Sequence, residues 1–128
     1  MSYYFAMTIE ASFDDVVSRT REALMAEGFG VITEIDVQKT LKTKINVDFR
    51  PYLILGACNP TMAYQALQLE DNVGAMLPCN VVVQQRSEGT VEVAAIDPVA
   101  SMQAIENPAL TEKASEVAAK LRSALDRI

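Results

Sequence analysis

The segment from Tyr52 to Cys58 constrains the fold of this chain more than any other. It reads YLILGAC, is apolar throughout apart from the tyrosine hydroxyl, and is followed at once by Asn59-Pro60. A short apolar run of this kind is typical of a strand that is covered on both faces or lies centrally in a sheet. The Asn-Pro pair supplies an N-cap and a first-turn proline, which predicts a helix running to about Glu70. The chain therefore turns from a buried strand into a helix at Cys58.

The remaining segments predict alternating strands and helices around this unit. Strands are predicted at residues 3–9, 31–37, 80–85 and 91–96, and helices at 13–27, 37–45 and 108–128. In the second strand the period of two places Val31, Thr33, Ile35 and Val37 on one face. A turn at 87–89 joins the two later strands into a hairpin, and residues 71–78 are predicted to be a loop. The expected class is α+β, with a long C-terminal helix.

Length and apolar content are consistent with a single domain spanning residues 1–128, since 128 residues that are 50% hydrophobic can bury their own core. No run approaches the roughly 18 apolar residues of a membrane helix, so we expect no membrane partner. The opening MSYYFAMTIEASFDD lacks a basic stretch before an apolar one, so it does not resemble a secretory signal. We therefore expect a cytoplasmic protein whose two cysteines are reduced thiols.

The charge balance and the missing histidine exclude several functions. There are 11 Lys and Arg against 17 Asp and Glu, a net charge of -6, with no basic cluster interleaved with aromatics. Nucleic acid is therefore not an expected partner. The absence of His removes Ser-His and Cys-His catalysis and the usual zinc hydrolase sites.

Four short motifs resemble one family. They are FRPYLILGACNP, MLPCNVVV, the IDP after the hairpin and the NPAL that opens the last helix. With this spacing they are similar to the bacterial and archaeal domain of unknown function 302. The resemblance runs over nearly the whole chain. It implies an α+β domain with a curved, mainly antiparallel sheet of about five strands, helices on one face, and a fold like that of TATA-binding-protein-like domains. It implies no activity and no cofactor.

Cys58 and Cys79 are the first candidate functional residues. Cys58 precedes a helix N-terminus, where amide groups and the helix dipole favour a thiolate, so it is a candidate nucleophile with Cys79 as the resolving thiol. The alternative is that Cys58 is a small core residue, because burial raises a thiol pKa. The two thiols approach one another only if their strands are antiparallel neighbours, which the family resemblance favours.

A soft-metal site is a second hypothesis for this region. Met62 lies one helical turn beyond Cys58, and Met76 lies three residues before Cys79. Two thiols and two thioethers suit Cu(I) or another thiophilic metal. Methionine is also a common filler of cores, so a purely structural role stays open for both residues.

An anionic small molecule is the third candidate ligand. Arg50 and Tyr52 adjoin the apolar strand, and Asn59 and Asn80 each follow a cysteine. With the thiols they form a predicted ligand-binding group. The alternatives are that Arg50 pairs with Asp48 and that Asn59 only caps a helix.

Three functional hypotheses follow. The first is a small cytoplasmic domain that binds a small molecule or a thiophilic metal near the GACNP and LPCN motifs. The second is a redox or sulfur-carrier protein that uses Cys58 and Cys79. The third is a homodimeric interaction module in which the apolar strand and the terminal helix form the contact surface.

Overall fold

The computed structural model describes residues 2–128. The strands are β1 (Tyr4–Glu10), β2 (Gly30–Asp36), β3 (Tyr52–Cys58), β4 (Cys79–Ser87) and β5 (Thr90–Ile96). The helices are α1 (Phe13–Ala26), α2 (Val37–Ile45), α3 (Pro60–Leu69), α4 (Pro98–Ser101) and α5 (Pro108–Asp126), with a 3₁₀ helix at Asp71–Met76. The predicted α+β class and the long C-terminal helix are confirmed.

All five strands form one antiparallel sheet in the order β1-β5-β4-β3-β2. β4 and β5 form the predicted hairpin, and Gly89 in its turn has a positive φ of 75°. β3 lies between β4 and β2, as its apolar sequence predicts. β1 and β2 are the two edge strands.

The core lies on one face of the sheet. The period of two directs alternate side chains of β3, β4 and β5 to this helix-covered face, where α1 and α5 pack on them. Val16 and Leu24 of α1 and Leu121 of α5 are at most 1% exposed. A second, smaller cluster joins α3, the 3₁₀ helix and the start of α5. We call the other surface of the sheet the open face.

The predicted helix caps are confirmed. Asn59 Oδ1 accepts from the Met62 backbone N–H at 3.2 Å, and Asn107 Oδ1 caps α5 in the same way. At the end of α1, Gly28 has φ 87° and the Phe29 N–H returns to the Leu24 carbonyl at 2.9 Å. These local signals act through bonds within a few residues, so they do not depend on the rest of the fold.

The prediction for β2 is wrong in one respect. Val31 pairs with Ala57 but Thr33 pairs with Gly56, so Ile32 is an extra residue and the strand carries a bulge. The bulge reverses the alternation, placing Val31 on the helix-covered face and Thr33 on the open face. Val37 is the first residue of α2 and not part of the strand.

The prediction of a loop at 71–78 is also corrected. Asp71–Met76 forms a 3₁₀ helix, because Val73 is fully buried in the second cluster and holds this segment against α3 and α5. Between residues 2 and 128, none of the helices has the length and apolar character that crossing a bilayer would require.

Candidate functional site

The candidate site lies where β3 ends and β4 begins. Cys58 is the last residue of β3, and Cys79, the first residue of β4, pairs with Ala57. β3 and β4 are therefore antiparallel neighbours, and this arrangement brings the two cysteines to one edge of the sheet, as expected. Asn59 follows Cys58 and caps α3 with its Oδ1.

A cavity of about 300 Å³ opens beside these residues, and we call it the helix-side cavity. It lies between the ends of β3 and β4, helix α3 and the first half of α5. Its principal lining residues are Phe29, Ile32, Cys58, Asn59, Met62, Ala63, Leu67, Cys79, Met102, Lys113 and Val117. The wall is almost entirely apolar, and Lys113 is the one charged residue that lines it among residues 2–128. This size and composition are typical of pockets for small molecules.

The two thiols differ in their surroundings. Both are free, Cys58 is half-buried and Cys79 is only 7% exposed. Burial, with a smaller electrostatic contribution from the neighbouring Cys58 thiol group, raises the pKa of Cys79 to about 11. Cys79 is therefore protonated at neutral pH, which is unfavourable for a resolving thiolate.

Three of the four predicted soft ligands line the same cavity. These are Cys58, Cys79 and Met62, whose sulfur atoms suit a thiophilic metal. Met76 does not line the cavity, because it packs against the second core cluster beside Val73. Within the described part of the chain, no three or more Cys, Asp or Glu residues are grouped as metal ligands. The predicted set of four sulfur ligands is thus not assembled.

The remaining predicted ligand residues lie elsewhere. Tyr52 begins β3 and Cys58 ends it, so they are separated by roughly 20 Å at about 3.3 Å per residue, and Arg50 precedes Tyr52 in the chain. Asn80 pairs with Gly56 and lies on the open face, opposite to Cys79. Tyr52 and Asn80 line a separate recess on that face, which we call the open-face recess. The single ligand group that the sequence predicts is therefore divided between two sites.

Arg50 does not pair with Asp48. Its Nε donates to Gln84 Oε1 at 3.0 Å, while Asp48 forms an exposed ion pair with Lys42 at 3.0 Å. Asp48, the carboxylate nearest to Arg50 in sequence, is therefore not its partner. Strand pairing instead brings Gln84 of β4 beside Tyr52 of β3, two residues from Arg50.

Lys113 of the helix-side cavity and Gln84 and Arg86 of the open-face recess are lining residues that no sequence motif indicates. Lys113 lies outside the apolar stripe of the terminal helix, so its sequence position suggests a solvent-exposed residue, and only the packing of α5 against α3 makes it part of a cavity wall. Gln84 was visible as a polar residue within a β-branched run. Its side-chain oxygen accepts hydrogen bonds from Arg50 and Arg86, which come from different segments of the chain.

These features define an α+β domain that has an antiparallel sheet and an apolar cavity beside the ends of β3 and β4. The family model described as "Domain of unknown function DUF302" matches residues 5–128, and the chain belongs to that family. A similar solved structure is the crystal structure of an uncharacterized conserved protein DUF302 from Bacillus stearothermophilus. The two chains are 32% identical with a TM-score of 0.91, over 99% of this chain and 98% of the other. No curated protein matches the chain.

Proposed function

We propose that this protein binds a small, largely apolar molecule in the helix-side cavity. The observation that carries the proposal is the cavity itself, of about 300 Å³, with an apolar wall that contains few polar groups. Pockets of this kind bury most of a small ligand and orient it through the few polar contacts. A cavity-lining cysteine then serves as a contact residue and needs no thiolate.

The lining residues indicate the character of the ligand. Met62, Leu67 and Met102 provide flexible apolar contacts, which favour a ligand without a rigid outline. Lys113 provides a positive charge, and its only carboxylate partner within residues 2–128 is Glu116 at 3.5 Å, near the long limit of such a pair. An apolar body with a negatively charged or polar end would match this distribution.

The experiment is a fluorescence titration with 1-anilinonaphthalene-8-sulfonate, an apolar fluorophore with one anionic group. Ala63→Leu fills the cavity from α3, and we expect it to weaken binding at least about fivefold by excluding the ring system. Ala119→Leu is the matched control, because Ala119 is an exposed helix residue that does not line the cavity. Equal binding by both variants and the natural sequence would contradict the proposal.

We include the reducing, cytoplasmic location in the proposal, because both cysteines are free.

Self-association is a second candidate function, on a surface different from the one the sequence indicates. The apolar stripe of α5 is used within the chain, with Leu110 and Leu121 at most 1% exposed. The exposed apolar side chains instead include Ile35 of edge strand β2, 50% exposed, and Ile45 at the end of α2, 63% exposed. An edge strand with apolar side chains favours pairing with a second copy. Sedimentation that changes from dimer to monomer on Ile35→Lys would support this, and a monomer at high concentration would contradict it.

A further inference from the structure

The open face carries a pair of arginines that share one neutral acceptor. Arg50 Nε donates to Gln84 Oε1 at 3.0 Å, and an Nη of Arg86 donates to the same oxygen at 3.1 Å. Neither arginine forms an ion pair with a carboxylate in residues 2–128, although the whole chain has a net charge of -6. Two like charges are therefore held side by side without a direct counter-charge.

The acceptor is fixed in place. Gln84 is only 8% exposed, and its Nε2 donates to Glu92 Oε1 at 3.3 Å on the neighbouring strand β5. All three polar contacts of this amide are therefore made within the chain. A glutamate at this position would have the same shape and would neutralise the arginines directly, whereas the amide leaves most of their charge available.

The first guanidinium is also restrained by aromatic rings. Arg50 Cζ lies 4.4 Å from the centroid of the Phe49 ring and 5.5 Å from that of Tyr52. Stacking on the rings already restricts the motion of this side chain, so less conformational entropy is lost when a ligand binds. Each guanidinium uses one N–H for Gln84 and keeps further donors for an external acceptor.

A recess of mixed polarity adjoins the pair. This open-face recess, of about 340 Å³, is lined by Arg86, Gln84 and Glu92 near one end and by Tyr4 near the other, with Tyr52, Val82 and Ala94 among its remaining lining residues. It lies on the face of the sheet opposite to the helix-covered core and is separate from the helix-side cavity.

From these observations we infer that Arg50 and Arg86 form a binding site for the oxyanion group of a small molecule whose apolar or aromatic body lies in the open-face recess. The oxyanion is a carboxylate or a phosphate, since both accept paired N–H donors from guanidinium groups. Glu92 also lines the recess: its carboxylate accepts from Gln84 Nε2, and it repels any anion placed close to β5. This site is independent of the ligand proposed for the helix-side cavity.

The test uses phenyl phosphate, benzoate and inorganic phosphate as probes, with dissociation constants from NMR shifts of the arginine Nε–H and glutamine amide signals. We expect saturable binding of phenyl phosphate or benzoate, and weaker binding of inorganic phosphate, which lacks the apolar body. The tighter of the two aromatic probes identifies the oxyanion. Absence of saturable shifts with all three probes would overturn the inference.

Single substitutions locate the site. Arg50→Gln and Arg86→Gln should each weaken binding at least about tenfold, because each removes charge-assisted hydrogen bonds. Arg122→Gln is the matched control: Arg122 also lies on an aromatic ring, 4.0 Å from the Phe5 centroid, and has no ion-pair partner among the described residues. If Arg122→Gln weakened binding of the probes equally, the probes would be attracted by the net charge of the protein alone, and the inferred site would be overturned.

Gln84→Glu tests whether the neutral amide keeps the two guanidinium groups available to a ligand. The new carboxylate should occupy both guanidiniums and abolish binding while both arginines remain. Circular dichroism checks that the fold survives the approach of this carboxylate to Glu92. Undiminished binding in the folded variant would contradict the role given to the neutral amide, and the two arginine variants keep the test decisive if the variant does not fold.

Discussion

Gly56 of β3 lies directly against Thr33 of β2, so closely that a Cβ atom on Gly56 would overlap Thr33 Oγ1. The same Cβ would lie 2.7 Å from Pro78 Cγ, on the segment that leads into β4. Thr33 and Pro78 thus close over the backbone of β3 two residues before Cys58. The bulge at Ile32 makes this contact possible, because it turns Thr33 towards the open face.

Gly56→Ala should therefore lower the free energy of unfolding by about 1–3 kcal/mol, the usual cost of inserting a group where there is no space. Urea unfolding measures it. Gly30→Ala is the control, because Gly30 lies in the adjacent strand with nothing within 4 Å of its Cβ position. Adding Thr33→Ala to Gly56→Ala removes the overlapping oxygen and should recover part of the loss. Equal stability of Gly56→Ala and Gly30→Ala would show that the contact is not tight.

Cys79 should make the stability of the protein fall at alkaline pH. Its pKa is raised from an ordinary value of 9.0 to about 11, so between these values the unfolded chain loses the thiol proton while the folded chain keeps it. Protonated Cys79 contributes fully below pH 9, and the contribution is lost as pH rises through about 11. The slope is about 1.4 kcal/mol per pH unit within the window.

Chemical denaturation at several pH values, compared between the natural sequence and Cys79→Ala, isolates this contribution because other groups titrate equally in both. The stability difference between the two should narrow as pH rises through that window. A difference that is constant with pH would mean that the thiol is ionised as easily in the folded state as in the unfolded one.

Asn59 should matter first as a helix cap. Asn59→Ala removes the acceptor of the Met62 N–H and should destabilise the protein by about 1 kcal/mol. Asn59→Ser keeps a neutral acceptor and should retain most of the stability. Thermal unfolding of the two variants, followed by titration with the naphthalene fluorophore, separates capping from ligand contact. Weak binding in the stable Asn59→Ser variant would assign Asn59 to the ligand as well.

Glu27 and Arg127 join the end of α1 to the end of α5, with Arg127 Nε donating to Glu27 Oε2 at 2.7 Å. This hydrogen bond is the main reason that the pKa of Glu27 is lowered from 4.5. Arg127→Gln should raise the Glu27 pKa, which an NMR titration of its side-chain carboxyl measures. Since the folded pKa is depressed, the stabilisation is present above 4.5 and is lost as pH falls through the folded value.

The control for this pair is Arg19→Gln, which breaks the ion pair with Asp15 within α1 and should leave the Glu27 titration unchanged. The stability difference between the natural sequence and Arg127→Gln should also disappear in acid. A difference that persists below the titration range of Glu27 would assign the effect to packing of the arginine side chain.

Local sequence patterns predicted the elements of this protein well. The Asn-Pro pairs at 59–60 and 107–108 begin α3 and α5, and the β-branched run of β4 with the turn at 87–89 gives the hairpin, because caps, prolines and turn residues act over a few residues. The antiparallel pairing of β3 with β4 followed from the family resemblance. Cys58, Asn59, Met62 and Cys79 were thereby correctly placed in one region.

Only the tertiary structure decided the chemistry of the sites. One extra residue, Ile32, reverses the faces of β2. The alternation along β4 separates Asn80 from Cys79, and the length of β3 separates Tyr52 from Cys58. Lys113 reaches the cavity from a helix that begins about 50 residues after Cys58 in the chain. Arg50, which precedes β3, and Arg86 of β4 donate to the same oxygen of Gln84. The sequence alone determined the five strands and the helices α1, α2, α3 and α5, with starts correct to within about one residue, but not the 3₁₀ helix at Asp71–Met76 or the short α4. Which side chains meet depends on register, strand order and helix packing, and these arise from contacts between residues far apart in the chain.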